Sequence, residues 1–252
     1  MSTSAKSSRA KKDPASSKVH KLSLRGSAKL VAEFFQYSIH SILYQRGVYP
    51  AEDFTVVKKY GLNMLVSSDD QVKAYIRKIM SALDRWMKDG KISKLVIVVT
   101  EKDTGEHVER WQFDVNILAS AKSSKTKLSS KSAPQPPTTT AQDQENASPS
   151  SATTSNTQPT QAPEKTEAEI QAEIAALFRQ ITASVTFLPQ LDPGAHTFNV
   201  LVYADADSDV PVEWGDSVDG GKEIVGGEKV QLRGFSTAYH NIGTTVDYRG
   251  DF

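Results

Sequence analysis

From Ala119 to Pro163 the only large aliphatic or aromatic residue is Leu128, and serine, threonine, glutamine, alanine and proline fill most of the rest. Such a stretch cannot bury enough apolar surface to offset its conformational entropy, which predicts a disordered segment over 119–163. It divides the chain into two blocks that both read as folded. Whether it links two domains or loops out of one decides how everything else is read.

The first block opens with "SAKLVAEFFQYSIHSILYQRG", where Leu30, Val31, Phe34, Phe35, Tyr37, Ile39, Ile42 and Leu43 are apolar nearly all round. A helix of that kind belongs at the centre of a core. Ser27 is the expected N-cap and Gly47 the expected stop. A second helix, "DDQVKAYIRKIMSALDRWMKDG", sets Val72, Ile76, Ile79, Met80, Leu83 and Met87 on one stripe, capped by Asp69 or Asp70 and ended by Gly90. "KLVIVVTEKDTGEHVERWQFDVNI" then reads as a β-hairpin: Leu95 to Val99 as a buried strand, Asp103-Thr104-Gly105 as the turn, and "VERWQFDV" as the return.

After the gap, Thr166 and Glu169 form a capping-box pair ahead of Ile170, Ile174, Leu177, Phe178 and Ile181 at helical spacing. "HTFNVLVYADAD" follows as a strand through Phe198, Val200, Leu201, Val202 and Tyr203. The remainder is strand-like but interrupted by Gly220, Gly221, Gly226, Gly227, Gly234 and Gly243.

Neither block closes alone. The first leaves a hairpin with open edges on two helices, and the second leaves one helix with loose strands. Together they make a single α+β domain. Closing a loop of about 45 residues rather than about 10 costs only about 1.3 kcal/mol more, so the gap is expected to be a loop within that domain.

Lys plus Arg and Asp plus Glu both number 30, which gives no global pull toward nucleic acid or an anionic membrane. The absence of cysteine excludes disulfides and cysteine-ligated metal sites. No apolar run approaches the roughly 18 residues of a membrane span, and the N-terminus lacks the apolar core of a secretory signal, so a soluble intracellular chain is expected. Residues 1–21 read as a disordered basic arm carrying Lys6, Arg9, Lys11, Lys12, Lys18 and Lys21.

Specific strings then accumulate. "LRGSAKLVAEFFQYSIHSILYQRGVYP", "LVIVVTEKDTGEHVERWQFDV", "RQITASVTFLPQL", "VPVEWGDS" and "VQLRGFSTAYH" run in order over Leu22 to Tyr248 and resemble the HORMA-domain spindle checkpoint proteins. The resemblance implies a HORMA domain over 22–252, with three helices on a mainly antiparallel sheet and a mobile C-terminal seat belt. It implies two stable folds. In the open form the C-terminal strands cover the edge formed by "HTFNVLVYA". In the closed form they cross to "ERWQFDV", displace the N-terminal strand, and leave the first edge to a partner's peptide.

Site residues follow from the same likeness. Phe198, Val200, Leu201, Val202 and Tyr203 would form the peptide-binding edge, and Trp214, Val230, Leu232, Phe235, Tyr239 and His240 the seat belt. Leu24, Trp86 and Trp111 match closed-state packing and switch positions, with Trp86 expected under the relocated strands. Arg179, Gln180, Thr186 and Phe187 match the face on which an open and a closed copy dimerise. Tyr248 would relocate with the seat belt, although "GTTVDYRGDF" departs from the family tail.

The implied role is a spindle assembly checkpoint adaptor that clamps the activator of the anaphase-promoting complex until chromosomes attach. The implied partners are a coiled-coil checkpoint receptor at kinetochores, that activator, an AAA+ remodelling ATPase with its adaptor, and a second copy of the chain. Nucleic acid is not among them. Nucleus, kinetochore and nuclear envelope, with a cytoplasmic pool, would be its sites. The alternative is the HORMA subunit that clamps peptides in translesion DNA polymerase, and a fixed-fold interaction domain stands third.

An enzyme is not expected, and no cofactor or metal is. The five histidines show no HExxH-type spacing, and neither GxGxxG nor GxxxxGK[ST] follows a strand. "GGKEIVGGEK" has no helix after it to hold a phosphate.

Overall fold

A computed structural model describes residues 22–118, 165–205 and 223–250. The basic arm, the low-complexity segment and Trp214 lie outside the described residues.

The first helix, α1 (Leu24–Gln45), has no exposed residue from Leu30 onward, with Val31, Phe34, Phe35, Ile39, Ile42 and Leu43 wholly inaccessible. Its cap differs from the expected one. Ser23 takes the extended backbone conformation and accepts the Gly26 N–H, so the helix starts one turn earlier and Ser27 lies buried inside it. Helix α1 ends where expected, with Gly47 at φ +62°.

Next come a hairpin that the sequence reading left unassigned, β1 (Phe54–Lys59) and β2 (Leu62–Ser67). Its two-residue turn, Tyr60-Gly61, has φ +52° and +69°, the positive values a primed turn needs. Tyrosine is rare there. Its ring stacks on Phe178 at 5.7 Å, and its hydroxyl donates to Glu33 at 2.7 Å, which together hold the left-handed conformation.

Helix α2 (Asp70–Asp89) is capped by Asp69, whose carboxylate accepts the Gln71 and Val72 N–H groups, and it ends at left-handed Gly90. The expected central hairpin follows as β3 (Ile92–Glu101) and β4 (His107–Ile117). Across the gap, α3 (Glu167–Ala183) begins at Thr166 with the complete capping box to Glu169. The chain continues through β5 (His196–Ala204), β6 (Glu228–Ser236) and β7 (His240–Tyr248).

Strands from both blocks form one five-stranded antiparallel sheet in the order β5-β3-β4-β7-β6. Helix α1 packs against α2, α3, β2 and β7. Phe34 ties the layers together: its ring meets Phe113 of β4, Phe178 of α3 and, at 4.9 Å, Phe235 of β6. No described helix is long and apolar enough to cross a membrane.

Candidate functional site

Two features of the sheet define the site: an edge with no further strand beside it among the described residues and a C-terminal hairpin that closes the opposite side. Strand β5 pairs with β3 from His196 to Ala204, and among the described residues no strand pairs with its other side. Phe198 and Val200 turn into the core, while Leu201, Val202 and Tyr203 are half-buried. The five expected edge residues therefore stand together on one strand whose outward backbone groups face no other strand among the described residues, the arrangement that strand addition uses.

At the opposite side β7 runs along β4 from Glu109 opposite Tyr248 to Ile117 opposite His240. Strand β6 pairs outside it. This is the strand order expected of the closed arrangement. Leu232 and Phe235 are buried, Val230 stands opposite Val246, and Trp111 faces Val246 across the ladder with its indole N–H donating to Glu109 at 3.1 Å. The Tyr239 carbonyl accepts the Leu118 N–H at 2.9 Å, so the residue after β4 is tied to the β6–β7 turn.

His240 is wholly buried, with Nδ1 2.7 Å from the Ser27 hydroxyl, which in turn lies 2.6 Å from the Thr237 hydroxyl. This trio joins the first turn of α1 to the β6–β7 turn. Burial holds the His240 pKa below the usual histidine value, because the cation would lose its hydration.

Sequence reading missed two buried ion pairs of β4. Arg46 donates to Glu109 at 2.7 Å and to the Pro189 carbonyl, and Arg110 pairs with Asp247 across β4 and β7. Charged residues inside two strand-like strings, "VERWQFDV" and "TTVDY", are the signal that could have found them.

The remaining residues fall in three places. Leu24 begins α1 and is half-buried. Trp86 is buried in α2, a helix that packs on α1, β2 and β3. Arg179, Thr186 and Phe187 are exposed at and just beyond the C-terminal end of α3, and Phe187 reaches within 6.1 Å of the Tyr248 ring. Gln180 is engaged instead: its side-chain oxygen accepts the Arg233 N–H of β6 at 2.7 Å. Among the described residues no group of three or more His, Cys, Asp or Glu is placed to hold a metal.

Comparison with known proteins agrees with this geometry. The HORMA domain family model matches residues 27–240. The mitotic spindle checkpoint component mad2 of Schizosaccharomyces pombe is 49% identical over 227 residues, covering 90% of this chain and 94% of that protein. Its Saccharomyces cerevisiae counterpart, MAD2, is 45% identical, covering 90% and 97%. A chain in the crystal structure of the mitotic checkpoint complex superposes with a TM-score of 0.67 at 47% identity, covering 90% of this chain and all of that one. These names do not favour the translesion-polymerase alternative, and they are names of checkpoint components rather than enzymes. The chain belongs to the HORMA domain family and, within it, to the mitotic spindle checkpoint proteins.

Proposed function

We propose that this chain is a checkpoint adaptor that clamps a partner's peptide on β5 and holds it by keeping β6 and β7 on β4. The observation that carries the reading is the strand order: the C-terminal hairpin occupies the β4 edge while no strand pairs with the outer side of β5 among the described residues. A peptide added there would satisfy the outward backbone groups of β5. Its checkpoint relatives and its likeness to a chain of the mitotic checkpoint complex support a partner within that complex.

The specific partners proposed are the activator of the anaphase-promoting complex and a coiled-coil receptor at kinetochores, where the chain would act in mitosis. The nuclear envelope and cytoplasm would hold it at other times. An AAA+ ATPase with its adaptor would reopen the clamp by drawing on Met1–Lys18, which lie outside the described residues. The organisation proposed is a basic arm over 1–21 and one HORMA domain over 22–252, interrupted at 119–163. The contribution of both blocks to one sheet supports it.

A switch between arrangements must break one ladder before making another, so peptide capture should take seconds or longer rather than milliseconds. The test is hydrogen exchange on the full chain with and without a synthetic peptide from the activator. The peptide should slow exchange at the outward amides of β5 over minutes. Unchanged β5 exchange with bound peptide, or capture complete in milliseconds, would remove the clamp mechanism.

A further inference from the structure

The outer edge of β5 is not bare. The Val200 N–H donates to the hydroxyl of Tyr75, on the second turn of α2, at 3.3 Å. This contact also fixes which way the strand faces. Backbone groups alternate in direction along a strand, so if the Val200 amide points away from β3, those of Phe198 and Val202 do as well. Asn199, Leu201 and Tyr203 then face their β3 partners Val98, Val96 and Lys94. Tyr75 sits on the middle donor of the outward row.

The side chain is held there by packing. Its ring meets Phe198 edge-on at 5.6 Å and 79°, and the Tyr49 ring meets Phe198 from another side at 6.1 Å. Beside them lies a hollow of about 280 Å3 lined by Tyr49, Asp69, Val72, Tyr75, Phe198 and Asn199. Tyr75 keeps 38% of its surface exposed, so the ring has open space to move into. Burial of the hydroxyl raises its pKa, which keeps it a neutral phenol over the working pH range.

We propose that Tyr75 is a plug on the receiving edge, and that a partner strand pairs at Val200 only by displacing its hydroxyl. This rests on β5 being the receiving edge. The plug gives an edge that no described strand pairs with a built-in competitor, which disfavours casual pairing with any extended chain. It also imposes a threshold: a partner must offer enough pairing and side-chain contact to replace one existing hydrogen bond. Exchanging one neutral hydrogen bond is worth about two- to tenfold in affinity.

The test uses the full chain, the variant Tyr75→Phe, and a labelled synthetic peptide from the anaphase-promoting-complex activator. Phenylalanine keeps the ring on Phe198 and removes only the hydroxyl. Without peptide, exchange of the Val200 amide should accelerate in Tyr75→Phe while that of Asn199 stays unchanged. With peptide, Tyr75→Phe should bind about two- to tenfold more tightly, through a faster on-rate. Equal Val200 exchange in the two proteins, or equal or weaker peptide binding by Tyr75→Phe, overturns the plug.

Val200→Pro separates this from the underlying reading. Proline is tolerated on an edge strand where the N–H faces outward, and it removes the donor itself. Peptide binding should fall at least tenfold in Val200→Pro, and adding Tyr75→Phe to it should give no gain. If Val200→Pro, shown folded by its retained amide spectrum, binds peptide as the parent does, β5 is not the receiving edge and both ideas fall. If it loses binding while Tyr75→Phe matches the parent, only the plug falls.

Discussion

Arg110 and Asp247 stand directly opposite each other in the β4–β7 ladder and form a salt bridge at 3.0 Å, with their side chains only 5% and 6% exposed. Arg110 belongs to the central hairpin and Asp247 to the strand that closes the sheet, so the pair exists only while β7 lies on β4. Removing one partner of such a pair costs up to about 3–5 kcal/mol, less where other charges stand near, as Lys229 does at 3.6 Å from Asp247. Asp247→Asn should therefore lower the thermal midpoint by several degrees and speed release of bound peptide. Replacing both, Arg110→Met with Asp247→Leu, should restore most of the midpoint, because the desolvation cost goes with the charges. A double variant as unstable as the single one would show that the pair is not what holds β7.

Gly234 is needed for a steric reason. Strand β6 has an irregularity between Leu232 and Phe235, and a Cβ built on Gly234 would lie 2.1 Å from the Ile242 carbonyl oxygen of β7. That neighbour is backbone and cannot swing away. Gly234→Ala should cost about 3 kcal/mol or more and loosen β6 from β7. Faster amide exchange confined to β6 and β7 would report it, and a parent-like exchange pattern would count against the close approach.

Much of this was readable in advance because local chemistry and global packing agree. Thr166 and Glu169, Asp69 and Gly90 mark helix ends by their own hydrogen-bonding and φ preferences, and the all-round apolar α1 had to be central. Ser27 misled because it is a good cap by type, yet a serine four residues earlier was free to cap while Ser27 met His240 across more than two hundred residues. The β1–β2 hairpin was invisible for a related reason. Its turn uses Tyr60, made tolerable only by Phe178 and Glu33, which are distant in sequence. Tyr75 escaped as well: a tyrosine on a helix face carries no sign that its hydroxyl reaches a strand edge.

Gln180 should behave differently from its neighbours on the proposed dimer face. Arg179, Thr186 and Phe187 are exposed, whereas Gln180 satisfies the Arg233 N–H at the irregular point of β6. Arg179→Glu should abolish self-association in sedimentation without altering the thermal midpoint. Gln180→Ala should also destabilise the clamp by about 1 kcal/mol through the orphaned N–H. Equal midpoints for Gln180→Ala and the parent would mean that solvent replaces the Gln180 contact without cost.

Acid should open the clamp through His240. The ring is buried against Ser27 and Thr237, and its Nε2 has no hydrogen-bond partner among the described residues, so a second ring proton would have no acceptor. Its pKa is held below the ordinary 6.5 by burial. When β7 leaves β4 the ring regains water and the ordinary value. The released arrangement therefore binds a proton below about pH 6.5 that the clamped one does not, and clamp stability falls as pH drops, by at most about tenfold in equilibrium constant per pH unit. His40, on α1, is pushed down to about 4 by burial and adds a loss of the same sign to the whole fold, continuing toward that pH. His240→Gln separates the two. It should weaken peptide retention at pH 7.5, where the imidazole contact is lost, and flatten the change between pH 7.5 and 5.5. A peptide off-rate that rises on acidification as steeply in His240→Gln as in the parent would place the sensor elsewhere.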